Sequence, residues 1–226
     1  THMLPRPRPT PTQVVKLCEP IVCLLRNCDG NYPMVGKVHL HAWKIRVHLE
    51  ACDGINIPSA VEEEVRNIWA KRWDFLDSPM HGAGYCLDPE NLDDTGIYAA
   101  NRKDSSIKAL GVVLNRLLRV TDSDGNLDKE ATKEAVDTAW LELSTFRASE
   151  GSFALGAGVA SRMPADQYWS QFGNAIPTLQ RVAMRVLTQP ASACACERNW
   201  STYDFIHSKR RNRLTAGRAR DLVYEF

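Results

Sequence analysis

Val35-Gly-Lys-Val-His-Leu-His-Ala-Trp-Lys-Ile-Arg-Val-His-Leu-Glu-Ala-Cys52 sets how this chain folds. Its apolar residues Val35, Val38, Ala42, Ile45, Leu49 and Cys52 step by 3, 4, 3, 4 and 3. That spacing lines one face of a helix turning once per about 3.6 residues. The same period recurs on both sides. Upstream, Val14, Leu17, Ile21, Leu24 and Cys28 step by three or four, with a kink expected at Pro20 and a turn over Asn27 to Pro33. Downstream, Ser59-Ala-Val-Glu62 reads as a capping box opening a helix with Val61, Val65, Ile68 and Trp69 inward. Ile107, Leu110, Leu114 and Leu117 form another face, ended by Thr121-Asp-Ser-Asp-Gly125. Asp128 caps a further helix that reaches Phe146, and Tyr168 and Trp169 lead to one over Leu179, Val182, Ala183 and Val186. Ser192 caps a helix around Glu197, and Thr215 a last short one ending near Leu222. The stretches Ser78 to Gly96 and Ser149 to Pro164 read as irregular, and Leu222 to Phe226 is the one strand candidate. The fold class is mainly α, without an internal repeat.

The chain has 226 residues, enough to bury a sizeable core as one large domain or two small ones. Apolar residues make up 44% and charged residues 24%, ordinary for a globular protein. Net charge is +1, so no global field draws it to nucleic acid and any such contact is local. The charge is uneven. Residues 197–226 hold seven Lys or Arg against four acids. The seven cysteines form no paired Cys-x-x-Cys knuckles and read as reduced thiols of an intracellular protein. No apolar run reaches the roughly 18 residues of a membrane span, and no signal peptide is evident. Thr1-His2-Met3 reads as a tag scar, and Leu4 to Pro11, with four prolines around Arg6 and Arg8, as an extended lead-in.

Chemistry concentrates near the C-terminus, in Pro190-Ala-Ser-Ala-Cys-Ala-Cys-Glu-Arg-Asn-Trp-Ser201 and His207-Ser-Lys-Arg-Arg-Asn-Arg-Leu214. Glu197 is a lone carboxylate in a small-residue helix. A divalent cation such as Mg²⁺ needs a near-octahedral oxygen shell, and the nearest acid, Asp204, lies seven residues on. In the chain by itself Glu197 therefore reads as a first-turn acid facing the helix dipole or pairing with Arg198, with no metal held. Lys209, Arg210, Arg211 and Arg213 either contact DNA phosphates or form a solvated helix end. His39, His41 and His48 lack a third ligand at suitable spacing and read as surface or interface histidines. Trp73 and Trp169 read as packing anchors rather than base-stacking platforms. Trp200, Tyr203 and Ile206 share a face, and with Leu222 and Val223 they are the expected interface with the rest of the chain or a second copy. Asp122, inside Asp-Ser-Asp-Gly, reads as a turn residue.

Cys196-Glu-Arg-Asn-Trp-Ser201, Phe205-Ile-His-Ser208, Lys209-Arg-Arg-Asn-Arg-Leu214 and Asp221-Leu-Val-Tyr224 resemble, in order, the C-terminal dimerisation segment of hAT-superfamily (hobo/Activator-type) transposases. Glu19-Pro-Ile-Val-Cys-Leu-Leu-Arg26, Arg72-Trp73, Ser78-Pro-Met-His81, Tyr85-Cys-Leu-Asp-Pro89, Trp169 and Gln189-Pro190 resemble earlier blocks of that family. The resemblance covers roughly residues 12–226. It implies the later part of a helical insertion-type bundle, followed by the C-terminal helical piece of a split RNase H-like core. The implied division is a lead-in at 1–11, an insertion-like domain at 12–164 and a dimerisation segment at 165–226. Glu197 matches the family's third acidic residue, which in a complete transposase joins two Asp in holding Mg²⁺ or Mn²⁺ for DNA strand transfer. Strands bearing those two Asp, and the family's zinc-finger module, have no counterpart here. The chain alone is therefore expected not to be an enzyme and to need no cofactor. Self-association is the expected activity, with DNA contact through the basic cluster and no membrane partner. The parent would be a DDE-type transposase, or a derivative of one, in the nucleus.

Overall fold

The computed structural model describes residues 9–30, 32–51, 57–92, 97–194, 196–198 and 200–201, with backbone alone at 97–104. Its helices are α1 (Pro11–Cys28), α2 (Val35–Ala51), α3 (Ser59–Leu76), α4 (Pro79–Leu87), α5 (Ile97–Leu117), α6 (Lys129–Arg147), α7 (Ser152–Gly156), α8 (Ala165–Phe172) and α9 (Pro177–Leu187). Between α5 and α6, strands β1 (Val120–Thr121) and β2 (Leu127–Asp128) pair antiparallel, Val120 opposite Asp128. The protein is mainly helical, as its periodicity requires.

The apolar face of α2 is buried along its length: Val35, Val38, Ala42, Ile45 and Leu49 are each at most 6% exposed. It faces two cores. Near its C-terminal half, Ile45 and Leu49 meet Leu17 and Leu24 of α1 and Ile57, with Val65 and Trp69 of α3 closing the cluster. At its N-terminal end, Val35 belongs to the larger core formed by α4, α5, α6, α8 and α9. The centre of that core is aromatic. Phe146 lies 4.6 Å from Trp169 and 5.3 Å from Phe153 between ring centroids, and none of the three is more than 1% exposed. Side chains from both sides of residue 164 enter this one cluster.

α4 corrects the expected irregular stretch at Ser78 to Gly96. Its start is locally encoded. The Ser78 hydroxyl accepts from the Met80 N–H at 3.3 Å, and the His81 Nδ1 accepts from the Ser78 N–H at 3.2 Å. Pro79 occupies the first turn, where no N–H is needed. Its glycines, poor helix formers in isolation, are required by packing. A Cβ on Gly84 would lie 3.0 Å from the backbone of Gly36, so α2 and α4 cross backbone to backbone. Every residue from Gly82 to Leu87 is buried.

Other local expectations also shift. α1 starts with a capping box between Thr10 and Gln13 and contains Pro20 within its length. α3 is capped by Pro58 without a side-chain bond, so the Ser59 box does not form. Ser59 is already the first helical residue. Val65 and Trp69 do face inward, whereas Ile68 is 53% exposed. The β1–β2 hairpin falls where only a turn was expected. The Asp122 carboxylate accepts from the N–H groups of Asp124 and Asn126 at 2.9 and 2.8 Å, and Gly125 takes a φ of 84°. Strands of two residues carry no periodicity to read. Asp128 caps α6 through the Ala131 N–H at 3.0 Å, as its position suggests. Ser149 to Pro164 contains α7, whose Phe153 is 1% exposed and anchors the stretch in the core. Of the expected lead-in at 4–11, Thr10 caps and Pro11 opens α1, while residues 4–8, the Thr215 cap and the strand at 222–226 lie outside the described residues.

Candidate functional site

After α9 the chain turns back towards the first two helices, where the Met34 N–H donates to the Gln189 carbonyl at 3.3 Å. Ser192 follows. Its hydroxyl donates to the Cys28 carbonyl at 2.8 Å and accepts from the Cys194 N–H at 3.3 Å. The Cys194 thiol donates to the Asp29 carboxylate at 3.1 Å, and both terminal nitrogens of Arg198 reach the Asp29 carbonyl, at 3.2 and 3.3 Å. Residues 194, 196–198 and 200–201 are helical, with the Glu197 N–H bonded to the Ala193 carbonyl at 3.0 Å. The logic is that of a helix end. The last carbonyls of α1 have no partners within the helix, and Ser192 and Arg198 supply them. A guanidinium at a helix C-terminus is also favoured by the helix dipole. Burial, aided by Asp29 and Cys194, raises the Cys28 thiol above its usual range, so it stays protonated.

Glu197 and Trp200 lie on the outer side of this junction. Asp29, Cys194, Glu197, Arg198 and Ser201 line an open groove there, and Trp200 is 72% exposed. Around Glu197 the groove offers one further carboxylate, Asp29, and a thiol. That donor set does not fit a site for two hard cations. Among the described residues no three of His, Cys, Asp and Glu gather in a way that could hold an ion. Tyr203, Ile206, Leu222, Val223, Lys209, Arg210, Arg211 and Arg213 lie outside the described residues.

The other marked residues are distributed as follows. Trp169 is a core anchor, fully buried, its indole N–H donating to the Leu87 carbonyl at 2.8 Å. Trp73 is half-buried, its ring stacked on Trp69 (6.2 Å) and on His81 (6.0 Å). Of the three histidines, His39 lies at an interface between helices rather than at the surface. It is 7% exposed, its Nε2 is 3.1 Å from the Ser106 hydroxyl, and its ring lies 5.5 Å from that of Tyr85, because that side of α2 packs against α4 and α5. His41 is half-buried, and burial lowers its imidazole, with Lys44 acting the same way. His48 Nε2 lies 3.2 Å from the Lys16 carbonyl.

One polar cluster had no sequence signal beyond Asp88 standing before Pro89. The Lys37 ammonium pairs with Asp88 at 3.1 Å and with Glu90, and Asp88 is only 3% exposed. Burial raises the Asp88 carboxyl despite the opposing pull of Lys37. Burial acts to lower Lys37, but the two carboxylates together outweigh it and raise it.

Residues 147–224 match the hAT family C-terminal dimerisation region. This hAT-like region is about a third of the chain. No curated protein and no solved structure matches the chain. The hAT region begins at the last residue of α6 and includes α7, α8 and α9. Its Phe153, Tyr168, Trp169, Leu179 and Val186 belong to the main core. The hAT region is therefore not an appendage: its first part is built into the helical body, and its next part lies on the end of α1. No helix among the described residues is long and apolar enough to cross a membrane.

Proposed function

We propose that this chain is the C-terminal part of a hAT-type transposase, or of a protein derived from one, and that it self-associates through the face bearing Trp200, Tyr203, Ile206, Leu222 and Val223. The observation that carries this reading is an indole 72% exposed inside a matched dimerisation region. Tryptophan is a frequent centre of binding energy at interfaces. Light scattering and sedimentation equilibrium on the full chain should show mass rising with concentration towards a dimer. Trp200→Ala should weaken the association by roughly tenfold or more, the scale of an interface hot spot. A strict monomer at high concentration removes the reading.

DNA contact through Lys209, Arg210, Arg211 and Arg213 is supported by the excess of seven Lys or Arg over four acids in residues 197–226. Such contact would be salt-dependent, because each neutralised phosphate releases counterions. The finer reading of the parent is a nuclear DDE-type enzyme with a split RNase H-like core, in which Glu197 would add its carboxylate to two Asp supplied from outside this chain, around Mg²⁺ or Mn²⁺. For the chain alone, incubation with duplex DNA and either cation should give no cleavage. Cleavage abolished by Glu197→Ala would reverse that order of preference.

A further inference from the structure

α1 carries a second apolar stripe that the cores among the described residues do not take up. Its inner stripe, Leu17, Ile21, Leu24 and Cys28, closes the smaller core, with Leu17 and Leu24 at 5% and 7% exposure. Val15, Cys18, Val22 and Leu25 form another, stepping by 3, 4 and 3, the spacing of a seam between two helices. Val15, Val22 and Leu25 are 65%, 40% and 56% exposed, and Cys18 is half-buried. On the flank away from the inner stripe, exposed Glu19 and Arg26 bring charges of both signs to its edge, as at the rim of a helix-to-helix contact.

The position of the stripe points to its occupant. Leu25 is one turn before Asp29, and Cys28 and Asp29 are the residues on which Ser192, Cys194 and Arg198 of the hAT region rest. The stripe and the groove beside Glu197 therefore adjoin at the C-terminal end of α1. The stripe runs from Val15 to Leu25, about 15 Å at about 1.5 Å per residue, so by itself it is a small patch. Continued from the hAT region, it extends one surface. A two-fold dimer uses the same patch on both copies, and an apolar stripe with mixed flanking charges suits its own counterpart.

We infer that the outer stripe of α1 (Val15, Cys18, Val22 and Leu25) packs against the same stripe of a second copy, extending the dimer contact beyond the matched region. The inference rests on the self-association proposed above, and the experiment separates the two. Sedimentation equilibrium would compare the full wild-type chain with Val15→Glu, Val22→Glu, Leu25→Glu, the milder Val22→Ser, and Trp200→Ala. Circular dichroism and thermal midpoints would confirm folding, which substitutions at exposed positions should leave intact. The expected result is a wild-type dimer weakened about tenfold or more by each glutamate, an ordinary penalty for burying an unpaired charge at an interface. Val22 lies near the middle of the stripe, so Val22→Glu and Val22→Lys chains should recover association when mixed. A wild-type dimer weakened by Trp200→Ala but by none of the stripe substitutions would overturn the α1 contact and leave the hAT-region contact standing. Weakening without recovery on mixing would overturn the stripe-on-stripe arrangement. A monomeric wild type would overturn both.

Discussion

The indole N–H of Trp169 donates to the carbonyl of Leu87 at 2.8 Å, and both residues are fully buried. The bond joins α8 to the last turn of α4, where the Leu87 carbonyl has no partner within its own helix. It holds the hAT region to the rest of the helical body across 82 residues of sequence.

Trp169→Phe keeps an aromatic ring but leaves that carbonyl unsatisfied in the core. It should cost about 1–3 kcal/mol, and Trp169→Ala about 3–5 kcal/mol, in urea unfolding of the full chain. Equal costs for the two would show that the hydrogen bond, not packing volume, is what Trp169 supplies, and a near-neutral Trp169→Phe would show the reverse.

Gly84→Ala should destabilise by about 1–3 kcal/mol despite the better helix propensity of alanine. The new methyl would meet the Gly36 backbone and the Val35 carbonyl, each at 3.0 Å, and backbone in a packed helix yields little. Gly158→Ala is the control, since its Cβ would enter open space. A near-neutral Gly84→Ala in thermal unfolding would mean that α2 and α4 can move apart.

His81 should make stability fall on acidification. Burial holds its imidazole below the usual range, against an opposing pull from Asp77, and the neutral Nδ1 is the acceptor that caps α4. The folded form therefore favours the neutral ring. Its contribution is present above the unfolded value of about 6.5 and is lost as pH falls from there through the lowered folded value. Urea midpoints of wild type and His81→Gln, whose amide can keep the capping bond, should diverge between pH 7.5 and 5, with the variant flatter. Parallel curves would place the acid sensitivity elsewhere.

Ser192→Ala should loosen the hAT region at the end of α1. It removes both the 2.8 Å bond to the Cys28 carbonyl and the 3.3 Å bond from the Cys194 N–H. A net loss of about 1 kcal/mol predicts roughly fivefold faster hydrogen exchange at residues 192–201. Exchange unchanged there would mean that Arg198 and Cys194 hold the junction unaided.

The sequence discloses those parts of the fold whose side chains repeat. Val35 to Leu49, Leu110 with Leu114, and Leu179 to Val186 are periodic, and their predicted faces are the buried ones. α4 was missed because Gly82 and Gly84 look like breakers, and their reason is a backbone crossing with a helix almost fifty residues away. The burial of His39 is not legible for a similar cause: its partner, Ser106, is 67 residues distant. At the candidate site, the motif around Glu197 and Trp200 was legible as a string of residues. Its seat on Cys28 and Asp29 was not, because Ser192 and Arg198 bond there to main-chain carbonyls, which every sequence possesses.

The polypeptide leaves the corner at Cys28 and is fastened to it again by Ser192, 164 residues later. Nearly all the helical body is thus a closed excursion from a fixed point. Length gained or lost at its outlying turns, such as the one at Gly125, would be absorbed within the loop without displacing the two strands of chain that meet at its neck. The neck can stay constant while the excursion drifts.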